Sequence, residues 1–150
     1  MIKIIRTVSG NADFRFLVSL LDKDLQNRDG EEHAFYAQFN KPDKIKNVVL
    51  AYEERIPVAS GALREFSSGI VEIKRMFVLP EYRGQGIAKR VLTELEGWAK
   101  EMDFSSCILE TGKKQPEAIH LYRKAGYFVI PNYGQYYNVE NSVCMKKEIK

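Results

Sequence analysis

Residues Val78 to Leu92 read "VLPEYRGQGIAKRVL", and the two glycines at their centre decide how the rest of the chain is read. Glycine inside or beside a helix costs roughly 1 kcal/mol relative to alanine, so Gly84 and Gly86 have no place in a segment that only needs to be helical. Pro80 closes the apolar run before them. An amphipathic pattern follows at once, with Ile87, Val91, Leu92, Leu95, Trp98, Ala99 and Met102 on one face. The stretch therefore predicts a strand, a tight turn and a helix that starts on bare backbone. First-turn N–H groups have no intrahelical acceptor and lie at the positive end of the helix dipole, so a phosphate suits that position. Arg83 adds a charge that can pair with phosphate oxygens.

The run just upstream, "GIVEIKRMFVLP", contains an irregularity. Val71 and Ile73 share one face of a strand, whereas Met76 and Val78 carry the apolar alternation with the opposite parity. A one-residue β-bulge between the pairs would turn all four toward one core; the alternative is a strand buried on both faces, where parity carries no meaning. Further upstream, "NVVLAYEERIPVASGALREF" predicts two antiparallel strands joined near Glu54 and Arg55. The N-terminal "MIKIIRTVSG" reads as a first strand. Phe16, Leu17, Leu20, Leu21 and Leu25 then mark a helix from Ala12, and a second short helix is expected over Glu31 to Phe39.

Downstream, "SSCILET" predicts a central strand and "GKKQPEAIHLYRKAGY" a helix, with Pro116 in its first turn and Gly126 at a left-handed stop. "YFVIP" and "NSVCMKKEI" read as closing strands around the loop "NYGQYYNVE". This order predicts an α+β (mixed α/β) sheet with helices on both faces.

At 150 residues the chain is long enough for one domain, 1–150, that needs no disulfide or metal staples. No apolar run approaches the ~20 residues of a membrane span, and the start lacks the pattern of a signal peptide, so a cytoplasmic protein without membrane contact is expected. A net charge of +3, without a basic stripe interleaved with aromatics, argues against nucleic acid. Cys107 and Cys144 sit in apolar strand patterns without metal-ligand spacing, so buried reduced thiols and no metal are expected.

Three phosphate-binding patterns compete for the opening stretch. A dinucleotide fingerprint needs a third glycine where Lys89 stands, and "TGKKQ" at Thr111 to Gln115 lacks both the upstream glycine and the Ser/Thr of a P-loop. "RGQGIA", by contrast, fits RxxGxA. That motif, the strand and long helix on either side of it, and the later "QPEAIHLYRKAGY" together resemble the acyl-CoA-binding signatures of the GNAT superfamily of N-acetyltransferases. The resemblance runs from about Val48 to Tyr127. It implies a twisted mixed sheet of about six to seven strands, a bulged fourth strand and about four flanking helices.

It also implies acetyl-CoA as co-substrate, with no metal. Arg83, Gly84, Gln85, Gly86, Ile87 and Ala88 would hold the pyrophosphate. Backbone of Phe77 and Val78 would pair with the pantetheine arm, and an N–H near Met76 or Phe77 would polarise the thioester carbonyl. Gln115 stands where the superfamily often has Asn. Glu72 matches a glutamate that histone-acetylating members use as a base, with Glu110 as second candidate. Tyr122 matches the tyrosine that commonly serves as general acid. A tyrosine of pKa near ~10 giving its proton to a thiolate of pKa near ~8.5 runs uphill by about 2 kcal/mol, so Tyr122 is expected mainly to donate a hydrogen bond to sulfur. The other readings of these residues are a surface glutamate and a core tyrosine. His33 and His120 are discounted as bases.

The acceptor would lie between the N-terminal helices and the last loop, in reach of Glu31, Tyr36, Thr111, Tyr133 and Tyr136. The acidic residues Asp22, Asp24, Asp29, Glu31 and Glu32 and the tyrosine faces suit a cationic amine. Solvated surface and a capped core edge are the alternatives. The expected acceptor is a primary amine of a small, amino-acid-like or peptide molecule, and the expected state a monomer or homodimer. Two other functions stay open: a CoA-binding regulatory or structural module, and a transferase of longer acyl groups.

Overall fold

A computed structural model describes residues 1–29 and 46–150. They form β1 (Ile2–Thr7), α1 (Ala12–Asp29), β2 (Asn47–Glu53), β3 (Ile56–Ser67), β4 (Ile70–Val78), α2 (Ile87–Glu101), β5 (Ser106–Gly112), α3 (Pro116–Lys124), β6 (Phe128–Ile130) and β7 (Ser142–Glu148). Short 3-10 turns cover Pro80–Tyr82 and Gly134–Tyr136. The helix expected over Glu31 to Phe39 lies outside the described residues, as do Glu31, His33 and Tyr36.

The seven strands make one sheet in the order β1-β2-β3-β4-β5-β7-β6. Every pairing is antiparallel except that of β4 with β5, the step that the α2 crossover makes possible. The β2–β3 hairpin turns on Glu54 and Arg55 as expected, with Glu54 at φ +56°.

Each face of the sheet carries its own apolar layer. On one, Phe14, Leu17, Val18 and Leu21 of α1 pack on Val48, Leu50, Ala62 and Phe77. On the other, Ile87, Val91, Leu92, Leu95 and Ala99 of α2, with Tyr122 and Tyr127, cover Val49, Leu63, Val71, Ile73, Val78, Leu109 and Met145. The side chain of Asn11 caps α1, accepting from the N–H groups of Asp13 and Phe14 at 2.8 and 3.2 Å. At the end of α3, Gly126 takes φ +101° and the Tyr127 N–H returns to the Tyr122 carbonyl at 3.0 Å. Cys107 and Cys144 are buried and unpaired. Burial pushes the Cys107 thiol up to about 12 and that of Cys144 up to about 11, which keeps both protonated and inert.

The bulge in β4 is present, and the strand is also buried on both faces. Ala62 pairs with Lys74 and Ser60 with Phe77, so Gly61 alone faces both Arg75 and Met76. Arg75 takes up the extra residue at φ +59°. This reset turns Met76 and Val78 to the same layer as Val71 and Ile73.

Gly61 is there for space. A Cβ on it would lie 2.7 Å from Leu95 Cδ1, 2.7 Å from Met76 Sδ and 2.9 Å from Val91 Cγ1. Overpacking of that kind costs about 1–3 kcal/mol. Gly61→Ala is expected to lower the melting temperature by roughly 2–10 °C, read by thermal denaturation. An unchanged melting temperature would mean that the bulge yields freely.

Candidate functional site

Strands β4 and β5 touch at one end and separate at the other. They pair only at Ile70 with Ser106, Val71 with Cys107 and Glu72 with Ile108. β4 then runs on to Val78 and β5 to Gly112 with no further rung between them. The bulge at Arg75 falls just past the last rung, where the added twist of a bulge turns one strand from its neighbour. A cleft opens in the fork.

Backbone alternation aims the open edge of β4. The Leu79 N–H is spent on the Val58 carbonyl at 2.8 Å, and Phe77 pairs with Ser60, so both face β3. Val78, between them, turns its N–H and C=O into the cleft. Arg83 meets that carbonyl: its Nε donates to Val78 O at 2.8 Å, its guanidinium lies 5.5 Å from the centre of the Phe77 ring, and Asp24 is 4.0 Å away.

The outer half of the cleft holds about 330 Å³ and is walled by Met76, Phe77, Val78, Tyr82, Arg83, Gly84, Gly86, Ile87, Ala88, Gln115, Leu121 and Tyr122, among others. Gly86 precedes the first turn of α2 at φ +79°, and Gly84 has φ +78°. Both are therefore held in the left-handed region that side chains rarely adopt. A Cβ at either would meet nothing within 4 Å, so the space above this backbone is open. The N–H groups of Ile87, Ala88 and Lys89 start α2 without intrahelical acceptors. Gln85 is exposed on the same turn, and Gln115 precedes α3 and lines the cleft.

The inner half, about 110 Å³, is lined by Glu72, Lys74, Arg75, Glu110, Thr111, Gln115, Tyr122 and Tyr136, with Leu21 and Leu25 of α1 over it. Leu21, Met76, Gln115, Ala118 and Tyr122 border both halves, which makes them one continuous cleft. Tyr122 stands at the junction. Burial, and next the charge of Glu110, raise its phenol above the usual tyrosine range. Glu72 is only 3% exposed; its Oε2 accepts from the Tyr133 hydroxyl at 2.7 Å and its Oε1 lies 4.0 Å from Lys74 Nζ. Glu110, beyond the fork on β5, accepts from the Ser142 hydroxyl at 2.7 Å. Burial drives the Lys74 ammonium below its usual range, and Arg64 and Arg75 push the same way against Glu72 and Glu110.

The structure thus brings Glu72, Glu110, Thr111, Tyr122 and Tyr136 together, while Tyr133 stands behind Glu72. His120 is exposed on α3. Two of the acidic residues expected to await a cationic amine have other neighbours: Asp22 pairs with Arg75 at 3.0 Å, and Asp24 lies beside Arg83. Sequence reasoning missed Lys74 and Arg75. The available signal was a basic pair in the middle of a strand read as buried, an arrangement that requires a partner or a ligand.

Comparison with known proteins agrees with this geometry. Residues 14–127 match the family model described as Acetyltransferase (GNAT) family. An IAA acetyltransferase of Azospirillum brasilense is 38% identical over 93 residues, 61% of each chain. An uncharacterized N-acetyltransferase of Escherichia coli K12 is 33% identical over 108 residues, 71% of this chain and 64% of its own. The chain thus spans somewhat under two thirds of the length of these two relatives. Among solved structures, an acyl-CoA N-acyltransferase from Klebsiella pneumoniae, described as putative in its source, superposes with TM-score 0.84 and 27% identity over 100% of this chain and 99% of its own. The PaiA N-acetyltransferase of Thermoplasma acidophilum, solved with coenzyme A, has the same fold at TM-score 0.73 and 17% identity, over 99% of each chain. With a matched span that takes in most of α1, the fork, the glycine turn and Tyr122, the chain belongs to the GNAT acetyltransferase family.

Proposed function

We propose that the protein transfers an acetyl group from acetyl-CoA to a primary amine of a small, amino-acid-like or peptide acceptor, by direct attack while both are bound. One observation carries this reading. A single cleft has an open glycine turn at a helix start at one end, carboxylates at the other, and Tyr122 at the junction.

Acetyl-CoA, when bound, supplies a thioester open to attack by an amine. The open space over Gly84 and Gly86 fits its pyrophosphate, which the N–H groups at the start of α2 and the Arg83 guanidinium would hold. Val78 offers its cleft-facing N–H and C=O to the pantetheine arm, and Arg83 must leave the Val78 carbonyl for that pairing to form. No rung of the β3–β4 ladder includes Arg75 or Met76, whereas Phe77 has one. The Met76 N–H is accordingly the donor we assign to the thioester oxygen as charge develops on it.

An alkylamine of pKa near ~10.4 is mostly protonated at neutral pH and must lose a proton to attack. Glu110 is better placed than Glu72 to take it. Glu72 sits at the crotch of the fork, where β4 and β5 still pair, while Glu110 stands on the separated part of β5 near Tyr122. As the C–N bond forms and the C–S bond breaks, Glu110 receives the amine proton and Tyr122 donates a hydrogen bond to the departing sulfur. The raised pKa of Tyr122 favours that hydrogen bond over full proton delivery.

Thiol release from acetyl-CoA across a panel of amines, amino acids and peptides tests donor and acceptor together. Tyr122→Phe should lower kcat about 10- to 100-fold with little change in acetyl-CoA affinity, the worth of one hydrogen bond to a charged group. Tight acetyl-CoA binding without thiol release from any amine would make the protein a CoA-binding module.

A further inference from the structure

Two basic side chains from consecutive positions, Lys74 and Arg75, line the inner cavity, and both are buried. The Arg75 side chain is only 2% exposed. One arm of its guanidinium, Nη1, is spent on Asp22, but Nε is buried and has no hydrogen-bond partner among the described residues. An uncompensated buried donor on a charged group is costly, so such groups persist where something else satisfies them. Lys74 is loosely held too: the Glu72 oxygen facing it is 4.0 Å away, beyond hydrogen-bond reach.

The backbone explains why Arg75 points where it does. It is the bulge residue itself, at φ +59°, with its carbonyl fixed by the Ser60 hydroxyl at 2.9 Å. A residue held in that region without being glycine is a strained choice, and the strain sets a guanidinium beside the acceptor half of the cleft.

Resting on the acetyl-transfer reading above, we infer that the acceptor carries a carboxylate as well as its amine, and that the Arg75 guanidinium, with Lys74 beside it, binds that carboxylate. The cavity is built for both ends of such a molecule. Cationic donors come from β4, and a carboxylate that can take the amine proton comes from β5. A single negative charge fits better than a phosphate dianion, because Glu72 and Glu110 share the space. Arg75 is then a specificity residue.

The test compares acids with their own amides: alanine, serine, methionine, phenylalanine and 4-aminobutyrate as free acids and as primary amides, with phosphoethanolamine added. The free acids should exceed their amides by about 10- to 100-fold in kcat/KM, the range for a hydrogen bond to a charged group. Arg75→Gln should remove that ratio, lowering turnover of the acids far more than that of the amides. Arg75→Lys should restore part of it, and Lys74→Met should reduce it. A merely structural Arg75 would lower acids and amides alike.

Equal use of acids and amides by the unmodified protein, or preference for phosphoethanolamine, would overturn the inference and leave acetyl transfer standing. If no acceptor turned over, the acetyl-transfer reading would fail. Calorimetric titration of the protein–CoA complex with the same acids and amides would still decide recognition. Tighter binding of the acids, lost in Arg75→Gln, supports it; equal binding overturns it.

Discussion

Gly86→Asp is expected to weaken acetyl-CoA binding about 10²- to 10³-fold. Two costs add. The first is conformational: Gly86 holds φ +79°, and a side chain there costs roughly 1–2 kcal/mol. It falls mainly on the stability of the loop. The second is electrostatic and falls on binding, because the carboxylate would enter the open space where the pyrophosphate is proposed to sit. Two unit charges about 4 Å apart repel by about 4 kcal/mol at an effective dielectric of 20, or roughly three decades of affinity. Direct titration with acetyl-CoA reads the loss, and salt identifies its origin. At about 1 M salt the Debye length falls to about 3 Å, so much of the deficit should disappear. An unchanged affinity would mean that the glycine turn does not hold the phosphates.

Glu110→Gln should lower kcat by about 10²- to 10⁴-fold, the range for a lost general base, while acetyl-CoA affinity stays the same. The amide is close in shape and can still accept from the Ser142 hydroxyl, while the negative charge that acts on Tyr122 and Lys74 is lost together with the proton acceptor. The residual rate should climb about tenfold per pH unit toward the amine's pKa near ~10.4, because the variant depends on amine that is already neutral. Glu72→Gln separates the two carboxylates. It loses the charge facing Lys74 and changes the partner of Tyr133, so it should cost stability and less activity than Glu110→Gln. The reverse order, with Glu72→Gln near inactive and Glu110→Gln nearly normal, would assign the base to Glu72.

The outer half of the cleft was readable in the chain, and the inner half was not. The parity slip between Ile73 and Met76 announced the bulge, because a strand that keeps its apolar side chains on one layer must add a residue where the pattern changes. It did not show that Arg75 would be the residue at positive φ, nor that the same strand would be buried on both faces. The acidic residues of α1 looked like an amine trap, yet Asp22 and Asp24 lie beside the arginines Arg75 and Arg83. That exchange of roles depends on where α1 crosses the sheet, a long-range matter. Likewise Glu72 and Glu110 were both legible as bases. Only the fork, with its last rung at Glu72 and Ile108, gives them different surroundings.

The sequence by itself determined the glycine turn and the helix behind it, because their parts are contiguous: two glycines at left-handed φ, a proline stop and an apolar stripe, all set by local backbone sterics. The tertiary structure alone decided the chemistry of the inner cavity. Its walls come from α1, β4, β5 and α3, with Tyr136 from the last loop, elements far apart in the chain. Whether a buried lysine, arginine or glutamate is paired, strained or left with an unspent donor depends on contacts that no local pattern records.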